Sequence, residues 1–158
     1  DIIDHSRANQ TEANLVVHLI TQLLAETEIE PADIGVITPY TAQVRTITQS
    51  LQDTVSDASA IAVDTIDAYQ GSEKPVIVLS LVRSNANGEL GFLGRTPDGP
   101  RRLNVALTRG QRYTAVVGDF HTLAYDHEST QTNVYQELRR QFEARGLMND
   151  VDPELLPV

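Results

Sequence analysis

Unbroken apolar runs interleaved with helix-period segments predict an α/β fold, a mostly parallel sheet with helices on both faces. Val76 to Val82 (VIVLSLV) is apolar almost throughout, where a half-exposed strand would alternate. Ile34 to Thr38 (IGVIT), Ile61 to Asp64 and Thr114 to Gly118 (TAVVG) are shorter runs of strand character. Around them, apolar residues recur at the spacing of a helix face.

From Thr11 to Glu26, the residues Ala13, Val16, Val17, Ile20, Leu23 and Leu24 fall on one face of a helix, which must pack on something. Pro31 punctuates, the Ile34–Thr38 strand ends at Pro39, and Val44, Ile47 and Leu51 mark the helix that follows. Further helical patterns lie around Leu103 to Leu107 and Val134 to Phe142. Asn85 to Gly99, rich in glycine, reads as a long loop suited to ligand contacts. The tail after Arg145 reads as peripheral or docked on a partner.

With 158 residues, 41% of them hydrophobic, the chain can bury one sizeable core, so a single domain over 1–158 is expected. Its apolar runs are too short to span a bilayer, and DIIDHSRANQ has neither region of a secretory signal. A soluble, cytoplasmic protein is the expectation. The absence of cysteine excludes disulfides and thiolate metal sites, and His5, His18, His121 and His127 lack metal-ligand spacing, so no metal site is expected.

A net charge of -10 argues against nucleic acid as a partner until its distribution is considered. Lys74 is the sole lysine, while Arg95, Arg101, Arg102, Arg109 and Arg112 cluster in one stretch. An acidic, lysine-poor surface also suits concentrated salt, where screening removes like-charge repulsion; a halophilic source is expected, with an ordinary acidic domain as the alternative.

In open parallel sheets, ligands sit beyond the carboxyl ends of the strands. Thr38-Pro39-Tyr40 with Gln43 follows the first strand, Thr65 to Glu73 the second, Arg83-Ser84-Asn85 the third, and Gly118-Asp119 the fourth. One active face is predicted. The phosphate-loop pattern GxxxxGK[ST] is absent, since Lys74 precedes Pro75, so the chain is not expected to hydrolyse a nucleoside triphosphate unaided. Asp119 is expected to cap a helix rather than hold magnesium.

Five segments, in order, are SRANQTEA (Ser6 to Ala13), IGVITPYTAQ (Ile34 to Gln43), VDTIDAYQGSEKPVIVLSLVRSN (Val63 to Asn85), GFLGR (Gly91 to Arg95) and RRLNVALTR (Arg101 to Arg109). Together they resemble the second RecA-like domain of superfamily 1 helicases, in the branch of the nonsense-mediated-decay and senataxin-type enzymes. The resemblance implies an N-terminal RecA-like domain as partner, which holds most of the ATP and Mg2+, and single-stranded DNA or RNA as ligand. Arg109 matches the arginine that reaches the γ-phosphate, where it would neutralise charge on the transferred phosphoryl group. Glu73 matches the carboxylate on the ribose hydroxyls, and Gln70 and Gly71 belong to the same motif. Thr38, Tyr40 and Thr65 match groups that touch the sugar-phosphate backbone, and Ser84 and Asn85 lie on the same predicted edge.

Each position has a plainer alternative. Arg109 suits a helix C-terminus, Glu73 an exposed loop beside Lys74, Thr38 a turn, Tyr40 a packed aromatic, and Asn9 with Glu12 a helix cap. A non-catalytic interaction module on the same fold is the alternative function. Two departures from the family bear on this. Gly110-Gln111 replaces the usual Ala and basic residue after ALTR, and the family's QYRMHP-type segment is expected upstream of Asp1.

Overall fold

The computed structural model of the chain describes residues 7–69, 72–95, 97–127, 133–152, 154 and 156. Four strands, β1 (Ile34–Thr38), β2 (Ala62–Thr65), β3 (Lys74–Ser80) and β4 (Gly110–Val117), form one sheet in the order β2-β1-β3-β4. All three pairings are parallel. The helices are α1 (Gln10–Glu26), α2 (Thr41–Thr54), α3 (Asp98–Leu107), α4 (Phe120–Leu123) and α5 (Val134–Ala144).

Alternate side chains of the central strands feed two cores on opposite faces of the sheet. Ile34 and Val36 of β1, with Val76 and Val78 of β3, join Ala13, Val16, Val17 and Ile20 of α1 and Ile47 and Leu51 of α2. Ile37, Ile77 and Leu79 point the other way, into Leu103 and Ala106 of α3, Phe120 and Leu123 of α4, and Tyr135 of α5. Burial on both sides explains why these strands read as unbroken apolar runs.

Among its described residues, the segment after β2 has no helix. Tyr69 lies over Gly35 of β1, and a Cβ built at Gly35 would fall 2.1 Å from the Tyr69 hydroxyl. The glycine makes room for the ring. An ion pair from Arg102 Nε of α3 to Asp67 Oδ1 (3.1 Å) ties the same crossover to the arginine-rich stretch.

Several boundaries differ from those expected. Strand β3 starts two residues earlier, at Lys74-Pro75, where a register irregularity accommodates a residue with no N–H to give. It stops at Ser80 because Leu81 and Val82, though apolar and buried, enter a turn. Strand β4 begins at Gly110 instead of Thr114, its first residues lying largely exposed and so lacking an apolar signal. Helix α3 opens inside the expected loop, with Pro100 in its first turn, where helix N–H groups have no intrahelical partner anyway. In the tail, Leu147 and Val151 are exposed while Leu156 is buried.

Candidate nucleotide and nucleic-acid edges of the sheet

The residues matched to ligand contacts separate onto opposite ends of the sheet, not onto one active face. Glu73 immediately precedes β3 and Arg109 immediately precedes β4, and the two strands start side by side, with Lys74 in register with Gly110. The Lys74 amide donates to the Arg109 carbonyl at 3.2 Å, which sets Glu73 and Arg109 on adjacent turns at the amino end. The expectation failed for Glu73 because the crossover from Thr65 runs the full height of the sheet before entering β3. Gln70 and Gly71 lie outside the described residues.

Arg109 is half-buried, and its guanidinium folds back on the end of α3. Nε donates to the Val105 carbonyl (3.1 Å) and an Nη to the Thr108 hydroxyl (3.2 Å), contacts that favour a cation at a helix C-terminus. Glu73 is exposed and has no hydrogen bond or ion pair among the described residues. Lys74 does not neutralise it; its Nζ donates instead to the Ala32 carbonyl at 3.0 Å.

At the carboxyl end, Thr38 and Thr65 are register partners on β1 and β2, and the Ile66 amide donates to the Thr38 carbonyl at 3.1 Å. Availability to a ligand differs sharply among the five candidates there. Thr38 and Tyr40 are both 0% exposed, so Tyr40 acts as the packed aromatic at the start of α2 and Thr38 presents no surface. The Ser84 hydroxyl is spent on Asp119 (2.7 Å), and one hydrogen of the Asn85 carboxamide on the Glu89 carbonyl (2.9 Å). Thr65 is half-buried, and among the described residues its hydroxyl accepts from the Ala68 amide at 3.4 Å and donates to none.

Asp119 caps α4 as expected, accepting from the amides of His121 (3.0 Å) and Thr122 (3.4 Å). Burial alone would raise its pKa, but the hydroxyls of Ser84 and Thr122 and these amides outweigh burial and hold it below the ordinary aspartate value. The β4 side of the carboxyl end therefore carries a firmly ionised carboxylate. Among the described residues no three His, Cys, Asp or Glu side chains gather as a metal site.

A buried polar network joins α1 to α2 and to the end of β3, where the residue pattern predicts only a helix cap. Asn9 does cap α1, accepting from the Glu12 amide at 3.1 Å. Its own backbone exchanges bonds with Gln43, which is 0% exposed: Asn9 N–H to Oε1 at 2.8 Å, and Nε2 to Asn9 C=O at 3.2 Å. Gln43 Nε2 also donates to Ser80 Oγ (3.2 Å), and that hydroxyl donates to Glu12 Oε1 (2.6 Å). Burial pushes the Glu12 carboxyl up to about 7, against the lowering by Ser80 and the amides of Val82 and Leu81; Asp119 raises it further. Only the Asn-x-x-Glu spacing hinted at this network, and it hinted at a cap.

A four-stranded parallel sheet covered by helices on both faces is an α/β fold consistent with a RecA-like domain. Comparisons with known proteins make the assignment specific. A family model described as an AAA domain matches residues 2–121. The chain is 37% identical over 154 residues to DNA-binding protein SMUBP-2 of Rattus norvegicus, an alignment covering 94% of this chain and 14% of that protein. It is 42% identical over 123 residues to DNA polymerase alpha-associated DNA helicase A of Schizosaccharomyces pombe, covering 78% of this chain and 17% of that one. It is 37% identical over 155 residues to a regulator of nonsense transcripts 1 homolog of Neurospora crassa, covering 96% and 14%. The chain belongs to this AAA-domain family and is a superfamily 1 helicase domain of the nonsense-mediated-decay and senataxin-like branch. It spans well under a fifth of the length of these relatives, between 14% and 17%.

Proposed function

We propose that the chain is the second motor domain of an ATP-dependent DNA or RNA helicase, its amino edge completing the nucleotide site of a first RecA-like domain and its carboxyl edge forming part of a single-strand track. The observation carrying it is the adjacency of Glu73 and Arg109 at one end of the sheet, with the half-buried Thr65 at the other. A carboxylate acceptor beside a guanidinium suits a nucleotide's ribose hydroxyls and terminal phosphate, while a phosphate loop is absent. These residues fit part of an ATP site, the remainder and Mg2+ being the first domain's to supply. Arg109 would leave the α3 carbonyls to neutralise phosphoryl charge, and Glu73 would accept from the ribose.

On the strand track, the Asp119 carboxylate repels phosphates from the end of β4, so the backbone is best placed over the ends of β2, β1 and β3. We read the protein as cytoplasmic, and its acidic, lysine-poor surface as one suited to concentrated salt. Described helices include none long and apolar enough to cross a membrane.

ATP turnover by the full-length protein, stimulated by a single strand, tests the motor function. Arg109→Ala should lower kcat by about 10³ or more, the scale of an arginine finger, with little change in strand affinity. Turnover unchanged by Arg109→Ala would leave that residue as a helix cap and favour the interaction module.

A further inference from the structure

Strand β3 ends in a strained turn that side chains from α1 hold in place. Val82 has φ of 71°, a left-handed conformation that a β-branched residue rarely adopts. The Arg83 amide closes a three-residue turn onto the Leu81 carbonyl at 2.8 Å, the rare γ-turn of positive φ. Both peptide groups of Val82 are clamped: Glu12 Oε1 accepts from its N–H at 2.8 Å, and Asn9 Nδ2 donates to its C=O at 3.2 Å. Strain of this kind persists only where surroundings over-determine it, and it concentrates at ligand clamps and switches.

What leaves the turn is a pair of converging donors. Arg83 Nε and Asn85 Nδ2 both donate to the Glu89 carbonyl, each at 2.9 Å. Arg83 is only 5% exposed, has no ion-pair partner among the described residues, and one Nη has no hydrogen-bond partner there. A buried guanidinium without a counter-charge is costly, and a phosphate oxygen that displaced the Glu89 carbonyl would take both donors and supply that charge.

We propose that Glu12 is a positioning residue for single-strand binding: its carboxyl group fixes the Val82 turn and so sets Arg83 and Asn85 where they receive a strand phosphate. The proposal rests on the carboxyl edge being the strand track. Glu12 never touches the strand and acts through the Val82 amide, with Ser80 and Gln43 holding its oxygen in place.

The test is fluorescence anisotropy of a labelled oligo-dT or oligo-U strand titrated with the full-length protein, with circular dichroism confirming that each variant is folded. Glu12→Gln keeps Oε1 as acceptor for both hydrogen bonds and should bind within about twofold of wild type, whereas Glu12→Ala should bind roughly tenfold more weakly, a hydrogen-bond-sized loss. Adding Val82→Gly to Glu12→Ala should restore most of the affinity, because glycine holds positive φ without a clamp. Rescue by a strain-relieving residue separates positioning from general loss of fold. Glu12→Ala binding like wild type, or a folded double variant that stays weak, would overturn the proposal. A wild-type protein that binds neither strand would overturn the strand-track assignment with it, a failure distinct from either of those.

Discussion

Gly35 and Tyr69 claim one volume from opposite sides, so single atoms there should register in stability. Gly35→Ala brings a methyl group to within 2.1 Å of the Tyr69 oxygen and 2.8 Å of Ile77 Cδ1. It should cost about 1–3 kcal/mol in urea denaturation, the range for overpacking a core. Tyr69→Phe has the opposite sign. The Tyr69 hydroxyl is buried with no hydrogen-bond partner among the described residues, and burial, with Asp64 nearby, raises its pKa. Deleting it should leave stability unchanged or raise it by up to about 1 kcal/mol, so a clear loss would mean that the hydroxyl is satisfied in solution.

Glu12 makes stability depend on pH. Its pKa rises from 4.5 to about 7 on folding, so between those values the folded state holds a proton that the unfolded state has released. Stability should therefore fall as pH rises from about 4.5 to about 7, by at most about 3 kcal/mol from this group. Glu12→Gln should flatten that slope; urea midpoints at pH 5 and pH 8 that differ equally in both proteins would rule the assignment out. Asp119, shifted downward, contributes its own dependence below the ordinary aspartate value, outside this window. None of this was legible in the sequence, because Asn9 and Glu12 have the spacing of a capping box while their decisive partner, Val82, is 70 residues away.

At the scale of elements, legibility followed burial. Strands β1 and β3 announced themselves because both of their faces are covered; the first half of β4 did not, because Gln111, Arg112 and Tyr113 lie exposed. The ends of the sheet were harder still. Which end Glu73 occupies depends on the path of the crossover, and no local pattern encodes that. Helix α5 shows the reverse case, where a local signal is real and carries measurable energy. Asn133 accepts from the Gln136 amide (2.7 Å), Gln136 returns the bond to the Asn133 amide (2.8 Å), and Asn133 Nδ2 reaches the Leu123 carbonyl of α4 (3.1 Å). Asn133→Ala should cost about 1–2 kcal/mol, toward the upper end for a cap because a link between helices goes with it. A double-mutant cycle with Gln136→Ala separates the parts, and full additivity would mean that the reciprocal bond contributes nothing.

Across the whole molecule, charge sets two salt responses of opposite sign. The chain carries -10, and residues such as Glu26, Glu28, Glu30, Asp53 and Asp57 are exposed, so folding concentrates like charge that an expanded chain spreads out. Ion pairs that salt would weaken, such as Arg102–Asp67, Arg139–Glu143 and Arg140–Glu137 among the described residues, are largely exposed and contribute little each. Relief of repulsion should therefore win. Raising KCl from about 0.1 M to 1 M shortens the screening length from about 10 Å to about 3 Å and should raise the urea midpoint. Strand binding should respond the other way, because each phosphate neutralised releases counterions and affinity falls with salt. Its slope should be shallow, since Arg83 is the cation set at the proposed phosphate position, and hydroxyl and amide donors such as Thr65 release no counterions. Glu28→Lys, just past the end of α1 while the start of that helix meets the carboxyl edge, should reduce the stabilisation by KCl while leaving the binding slope unchanged. A midpoint that falls with KCl, or a binding slope that follows Glu28, would show that surface charge and ligand site act as one system rather than two.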